Sequence, residues 1–192
     1  MSASFTSNSL ALRLRTETAS QHEYMHQLME QAQVFKDIEH YAQFTLAQYY
    51  FQKNVEYLFN LTQVSALISD LDIRGRSQSA LLDLQDLNLQ VESLKLMTAD
   101  IGFPEALGWI YVSEGSTLGA AFLFKQAQQH LGLSAEFAAR NLAAYPEGRA
   151  KVWKHFIAEL DQAELSQEQQ DQVIEGARQA FDYFGWLLKS IH

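Results

Sequence analysis

Two groups of residues in this sequence could carry chemistry. The first is His22 with His26, in SQHEYMHQLME. Imidazole is a common ligand for haem iron and for many transition metals, and positions i and i+4 share one face of a helix. The pair can therefore hold a metal ion between them, or offer a single axial nitrogen. Glu23 and His26 also make a Glu-x-x-His unit, the element that di-iron carboxylate bundles use twice. No other histidine here has Glu three residues before it, so the second half of such a centre is missing. A lone histidine on an apolar stripe is more often a satisfied core side chain, and spacing alone leaves the choice open.

The second group lies in LGWIYVSEGSTLGAAFLFK, Leu107 to Lys125, where Gly115 and Gly119 interrupt a strong helical pattern. Each glycine costs a helix interior about 1 kcal/mol relative to Ala, so both need a reason. One reason is close helix–helix packing. The other is approach of the helix backbone to a large flat ligand, with Ser116 helping the helix to bend. There is no G-x-S-x-G, no phosphate-binding loop and no complete dinucleotide fingerprint, so hydrolase and nucleotide chemistry lack motif support.

The elements that position these residues read as helices. The chain has 192 residues with only 2 Pro and 9 Gly, and strict apolar alternation is nearly absent, which predicts an all-α fold of about seven helices. The first helix is expected from Asn8 or Ser9 to about Gln31, with Leu14, Thr18, His22, Met25 and Met29 on one stripe. Asp37 is expected to cap a second helix reaching about Leu61. Asp70 to Ser79 reads as a polar connection, followed by a short helix from Ser79 to about Leu87. Pro104 suits the first turn of a helix from about Phe103 to His130, ended by Gly132. Ser134 is expected to cap a short helix through Asn141, Pro146 to open another containing Trp153, and Ser166 with Gln169 to form a capping box for the last.

Composition removes several functions. A formal charge of −9, from 14 Lys and Arg against 23 Asp and Glu, disfavours non-specific binding to nucleic acid or anionic membranes. The longest apolar runs fall far short of the roughly 20 residues that cross a bilayer, and the N-terminus lacks the order of a secretory signal. With no cysteine there is no disulfide, thiolate metal site or Cys nucleophile. A cytoplasmic protein is the expectation.

Taken together, His22 after LRTETASQ and the later SEGSTLGAAFLFK closely resemble the bacterial haem oxygenases of iron acquisition. AQYYFQ around Gln48, RGR at Arg76, QVIEGARQAF and FGWLL extend the resemblance over nearly the whole chain. It implies one domain over residues 1–192, a multi-helix bundle with haem between a proximal first helix and a glycine-bent distal helix. His22 matches the proximal iron ligand, and Gly115, Ser116 and Gly119 match the distal bend. Gln48 and Arg76 match residues supporting an ordered-water network that delivers protons; without the resemblance they would be a polar group on the second helix and a loop arginine. Arg15 and Tyr111 match anchors of the haem propionates, and Phe181 an aromatic lining the haem edge.

The implied reaction opens haem to biliverdin with release of carbon monoxide and ferrous iron. Haem is then both substrate and cofactor, and O2 the oxidant. Electrons must come from outside, from a ferredoxin-type or flavin/NADPH reductase, because the chain has no motif for a redox cofactor of its own. Relatives with an unusual cleavage site anchor the propionates with lysines where this chain has Glu30 and Gln126, so Arg15 and Tyr111 imply the α isomer. One departure is His26, where many relatives place a Glu that accepts a hydrogen bond from the proximal imidazole. A monomer is implied. The alternative is a non-catalytic haem carrier or chaperone of the same fold, which would not need Gly115, Gly119, Gln48 and Arg76 together.

Overall fold

The computed structural model describes residues 9–93, 95–145 and 148–190. They form eight α-helices: α1 Leu10–Glu17, α2 Ala19–Gln31, α3 Ile38–Leu58, α4 Thr62–Leu67, α5 Ser77–Asp86, α6 Glu105–Leu131, α7 Arg149–Gln162 and α8 Gln167–Ser190, with 3-10 turns at Leu71–Ile73 and Asn141–Ala143. No described residue lies in a β-strand, and no described helix is long and apolar enough to cross a membrane.

Three helix starts and the end of α6 follow the capping rules. Ser9 Oγ accepts from Leu12 N at 3.0 Å, and Asp37 accepts from His40 N at 2.9 Å. Ser166 and Gln169 complete the capping box, with Gln169 N donating to Ser166 Oγ at 3.2 Å and Ser166 N to Gln169 Oε1 at 3.0 Å. Gly132 ends α6 at φ 69°, in the left-handed region that glycine enters without cost.

The departures have local causes. The expected first helix is broken at Thr18, whose hydroxyl donates to Leu14 O at 2.7 Å, a back-bond of the kind that bends helices. His22 therefore stands on α2, although its N–H still reaches Thr18 O across the break. The second helix ends at Leu58, and α4 follows where no helix was expected. The helix expected from Ser79 begins at Ser77, and Pro104 stands just before α6 rather than inside it. Ser134 to Asn141 is not a helix. Asp86 accepts from Ala138 N, and Asp83 from Arg140 N and Asn141 N, so tertiary carboxylates take the N–H groups a helix would have used. Pro146 lies outside the described residues; α7 begins at Arg149.

The core gathers where α6 crosses α8. Leu107, Ile110 and Ile174 of these helices are fully buried, and Leu14, Phe156 and Leu160 belong to the same apolar core. The crossing is backbone to backbone. A Cβ on Gly108 would lie 2.0 Å from Val173 O, and one on Gly176 would lie 2.1 Å from Glu105 O. Close packing is thus the work of Gly108 and Gly176, not of Gly115 and Gly119. At Gly119 an added Cβ meets nothing within 4 Å, and at Gly115 it meets only the Trp153 ring at 3.6 Å. Helix α6 runs unbroken through both, and Ser116 Oγ donates to Ser113 O at 2.6 Å.

Two glycine substitutions should therefore act oppositely. In urea unfolding, Gly108→Ala is expected to destabilise the fold by about 3 kcal/mol. Gly119→Ala should stabilise it by about 0.5–1 kcal/mol, since it removes a helix-interior glycine without a clash.

Candidate active site

Helices α1 and α2 pack on α8, and α6 packs on α8 from beside them, but α1–α2 and α6 make little contact with one another. That arrangement leaves an open face between them. At one end α1, α6 and α7 enclose a cleft of about 200 Å³ lined by Ala11, Arg15, Tyr111, Leu118, Trp153 and Ile157. Ligand pockets usually span about 300–1,000 Å³, so this cleft holds only one edge of a large planar molecule. The rest of the face is open and apolar: on α6 Leu118 is 43% and Phe122 is 65% exposed, with the bare Gly119 between them. Exposed apolar surface of this kind marks a binding site.

His22 is exposed on α2, across the break at Thr18 from Arg15 on α1. It lies outside the enclosed clefts, and its ring meets Phe181 of α8 edge-on at 6.3 Å between centroids and His26 at 4.7 Å. Partial burial lowers the His22 pKa below its ordinary 6.5, and His26 lowers it further while Glu23 opposes. The imidazole stays neutral, as a metal ligand must be. Among the described residues, no group of three or more His and carboxylate side chains gathers around His26, which removes the di-metal reading. Phe181 also borders a second cleft of about 210 Å³ between α2 and α8.

Arg15 and Tyr111 meet at the enclosed cleft. Burial pushes the Tyr111 phenol up to about 12, with Arg15 opposing, so its hydroxyl keeps its proton and can donate. A guanidinium and a phenol at one cleft mouth can hold carboxylates.

Behind α6 lies a buried polar layer. Arg76 is buried, and its Nη2 donates to Ser113 O at 2.9 Å and Ser113 Oγ at 2.7 Å, while Ser113 Oγ donates to Gln52 Oε1 at 3.2 Å. Arg76 Nε is buried with no protein partner, a donor that calls for ordered water or another acceptor. Gln48, one turn before Gln52, accepts instead from Asn141 Nδ2 at 3.0 Å. The structure thus brings Arg76 to α6 through Ser113 but does not join Gln48 to Arg76 directly. Glu56 anchors the Arg76 backbone, accepting from Arg76 N and Ser77 N at 2.6 Å each.

Sequence reasoning missed the neighbouring ion cluster. Arg74 is fully buried, pairing with Glu114, itself 1% exposed, and bidentately with Asp70. Tyr145 Oη donates to Glu114 at 3.0 Å, and the Arg74 guanidinium lies over the Phe156 ring. The available signal was Ser113-Glu114 in the middle of an apolar helix, since a buried carboxylate demands a partner. Trp153, which covers Gly115 and packs on Tyr111 at 5.4 Å between centroids, was also unassigned.

These contacts generate three expectations. Because His22 titrates lower folded than unfolded, the unfolded chain binds the proton more readily, and the stability this site contributes falls as pH drops below about 6.5. His26→Ala should raise the His22 pKa, read from its ring C–H shifts by NMR. Arg74→Met, which leaves Glu114 buried beside no cation, should cost about 3–5 kcal/mol in urea unfolding.

An open apolar face with one neutral imidazole, a cation and a phenol at its rim, and a buried polar layer behind it fits a planar tetrapyrrole that carries carboxylates. Comparison with known proteins agrees. The family model for heme oxygenase matches residues 8–190. The chain is 41% identical over 179 residues to the heme oxygenase PigA of Pseudomonas aeruginosa, covering 92% of this chain and 90% of that protein. The NO- and CO-bound heme oxygenase of Neisseria meningitidis superposes with a TM-score of 0.89 at 33% identity, over 95% of this chain and 92% of that one. The heme complex of heme oxygenase-1 from Synechocystis shares the fold alone, with a TM-score of 0.78 at 15% identity over 96% and 93% of the two chains. With the match running over almost all of its residues, the chain belongs to the haem oxygenase family.

Proposed function

We propose that this protein opens haem oxidatively to biliverdin, releasing carbon monoxide and Fe2+, and that it serves iron acquisition. The observation that carries the reading is the exposed His22 on α2 against Phe181, together with Arg15 and Tyr111 at the mouth of the cleft and a bare Gly119 on α6. Haem, once bound, supplies the iron centre at which O2 is reduced and is itself the carbon skeleton attacked. Within this reading His22 offers its imidazole nitrogen to the iron, and Phe181 limits the tilt of that ring. Gly115 and Gly119 keep side chains off the opposite surface, so the α6 backbone can come close. Ser116 holds its hydroxyl on Ser113 O, which also accepts from Arg76.

Proton supply falls to the layer behind α6. Arg76 holds Ser113 with one nitrogen and keeps Nε free for water, and Gln52 and Gln48 extend a polar row along α3. Glu114, the buried carboxylate on α6, is committed to Arg74 and Tyr145. A proton would therefore travel through ordered water and not directly from a carboxyl. Arg15 and Tyr111 fix the in-plane rotation of the macrocycle by its carboxylates, which selects the meso carbon; this pair supports the α isomer. The reading treats residues 1–192 as one domain, active as a cytoplasmic monomer supplied with electrons by a ferredoxin-type or flavin/NADPH reductase.

The test adds haemin to the purified protein, then a reductant in air with catalase. Growth of a biliverdin spectrum, chiefly the α isomer by chromatography, is the expected result, and His22→Ala should abolish it. A complex that reduces and reoxidises unchanged would instead identify a carrier. Arg15→Glu should weaken haem binding about tenfold, the loss of one charge-assisted pair.

A further inference from the structure

We propose that Trp153 is a positioning residue for the haem reaction: it holds Tyr111 in place, and through Tyr111 it sets the rotation of the macrocycle in its plane. The inference rests on the reading of Arg15 and Tyr111 as carboxylate anchors. Those two anchors are not held alike. Arg15 is exposed on α1, and a long exposed side chain keeps its rotamer freedom. Tyr111 is half-buried, and its ring packs on Trp153 at 5.4 Å between centroids with 53° between the planes. Ring pairs at such separations, about 4.5–7 Å, prefer particular geometries, so the phenol has a fixed place and Trp153 is its aromatic partner.

The indole is itself fixed from behind. Phe156, fully buried on the same helix, meets the Trp153 ring at 5.9 Å between centroids. The guanidinium of the buried Arg74 lies 5.2 Å from the Phe156 centroid, and Asp70 and Glu114 hold that guanidinium. A continuous set of contacts thus runs from the buried ion cluster through Phe156 and Trp153 to the anchor. A side chain whose rotamer is locked by packing can hold a neighbouring group to the precision that a site needs.

Two features separate this role from plain core packing. Trp153 is half-buried and lines the cleft beside Arg15, whereas Phe156 is sealed in the interior. The same ring also meets the glycine helix: a Cβ on Gly115 would lie 3.6 Å from Trp153 Cη2 and 3.7 Å from Cζ3. Tyr111 and Gly115 are one turn apart on one face of α6, so a single indole spans the turn that joins the anchor to the bare backbone. Removing it opens space beside Tyr111, the phenol gains further rotamers, and a carboxylate bound to its hydroxyl follows them.

The experiment reads haem seating without turnover, from the haem methyl shifts in proton NMR of the ferric complex with cyanide, and then the biliverdin isomers formed on reduction in air. The wild-type chain should give one dominant set of methyl shifts. Trp153→Ala, checked as folded by circular dichroism, should add a second set and lower the ratio of the main isomer to the others about fivefold, the order of one aromatic pair. Trp153→Phe, which keeps a ring against Tyr111, should restore most of that ratio. In a Tyr111→Phe background Trp153→Ala should change little more, because both act through one hydroxyl. Leu160→Ala, buried on the same helix but not lining the cleft, should lower stability in urea and leave the methyl pattern as it is. An unaltered pattern in Trp153→Ala would overturn the proposal, as would simple additivity with Tyr111→Phe or an equal redistribution in Leu160→Ala. A wild-type complex that seats haem in one rotation yet forms no biliverdin would overturn the oxygenase reading instead, and the role of Trp153 would still be decided by the NMR.

Discussion

The contact between the α6 and α8 backbones at Gly108 and Gly176 sets the dimensions of everything else. With no side chain between them, the two backbones come closer than a Cβ at either glycine would allow, and α8 becomes the wall on which α1, α2 and α6 all rest. Because α1–α2 and α6 touch that common wall and hardly touch each other, a face remains open between them. The site is thus a consequence of packing elsewhere: tight at Gly108, loose at Gly119, on one continuous helix.

The same helix divides apolar from polar. Its outer surface offers Leu118, Gly119 and Phe122 to the open face, while its inner surface holds Ser113, Glu114 and Thr117 against a layer of buried polar groups. Burying Arg74 and Glu114 together is weak support for stability, since desolvation offsets much of their attraction. What the pair does is fix Glu114 away from the open face. Ser113 and Arg76, hydrogen-bonded to each other, stand in the same layer.

Asp70 joins the two ends of the molecule's polar chemistry. It holds Arg74, which holds Glu114 on α6, and it also meets His155 on α7. The clustering of these groups arises from the connection between α4 and α5, a stretch that is polar in sequence yet places Arg74 and Arg76 in the interior.

Local chemistry in the sequence determined the helices with clean signals. Asp37, Gly132 and the Ser166–Gln169 box acted as their residue types require, because a cap depends on three or four neighbouring residues alone. The resemblance singled out His22, Arg15, Tyr111 and Phe181. Only the tertiary structure decided which glycines pack and which stay bare, because Gly-x-x-x-Gly spacing is the same for either use and the difference lies in what stands opposite. It also decided that Ser134 to Asn141 would not be helical, since Asp83 and Asp86 compete for its N–H groups from more than fifty residues away. Burial of Arg74 and Glu114 was settled there too: a charge enters the interior only when its partner arrives from a distant part of the chain, and no local pattern records that meeting.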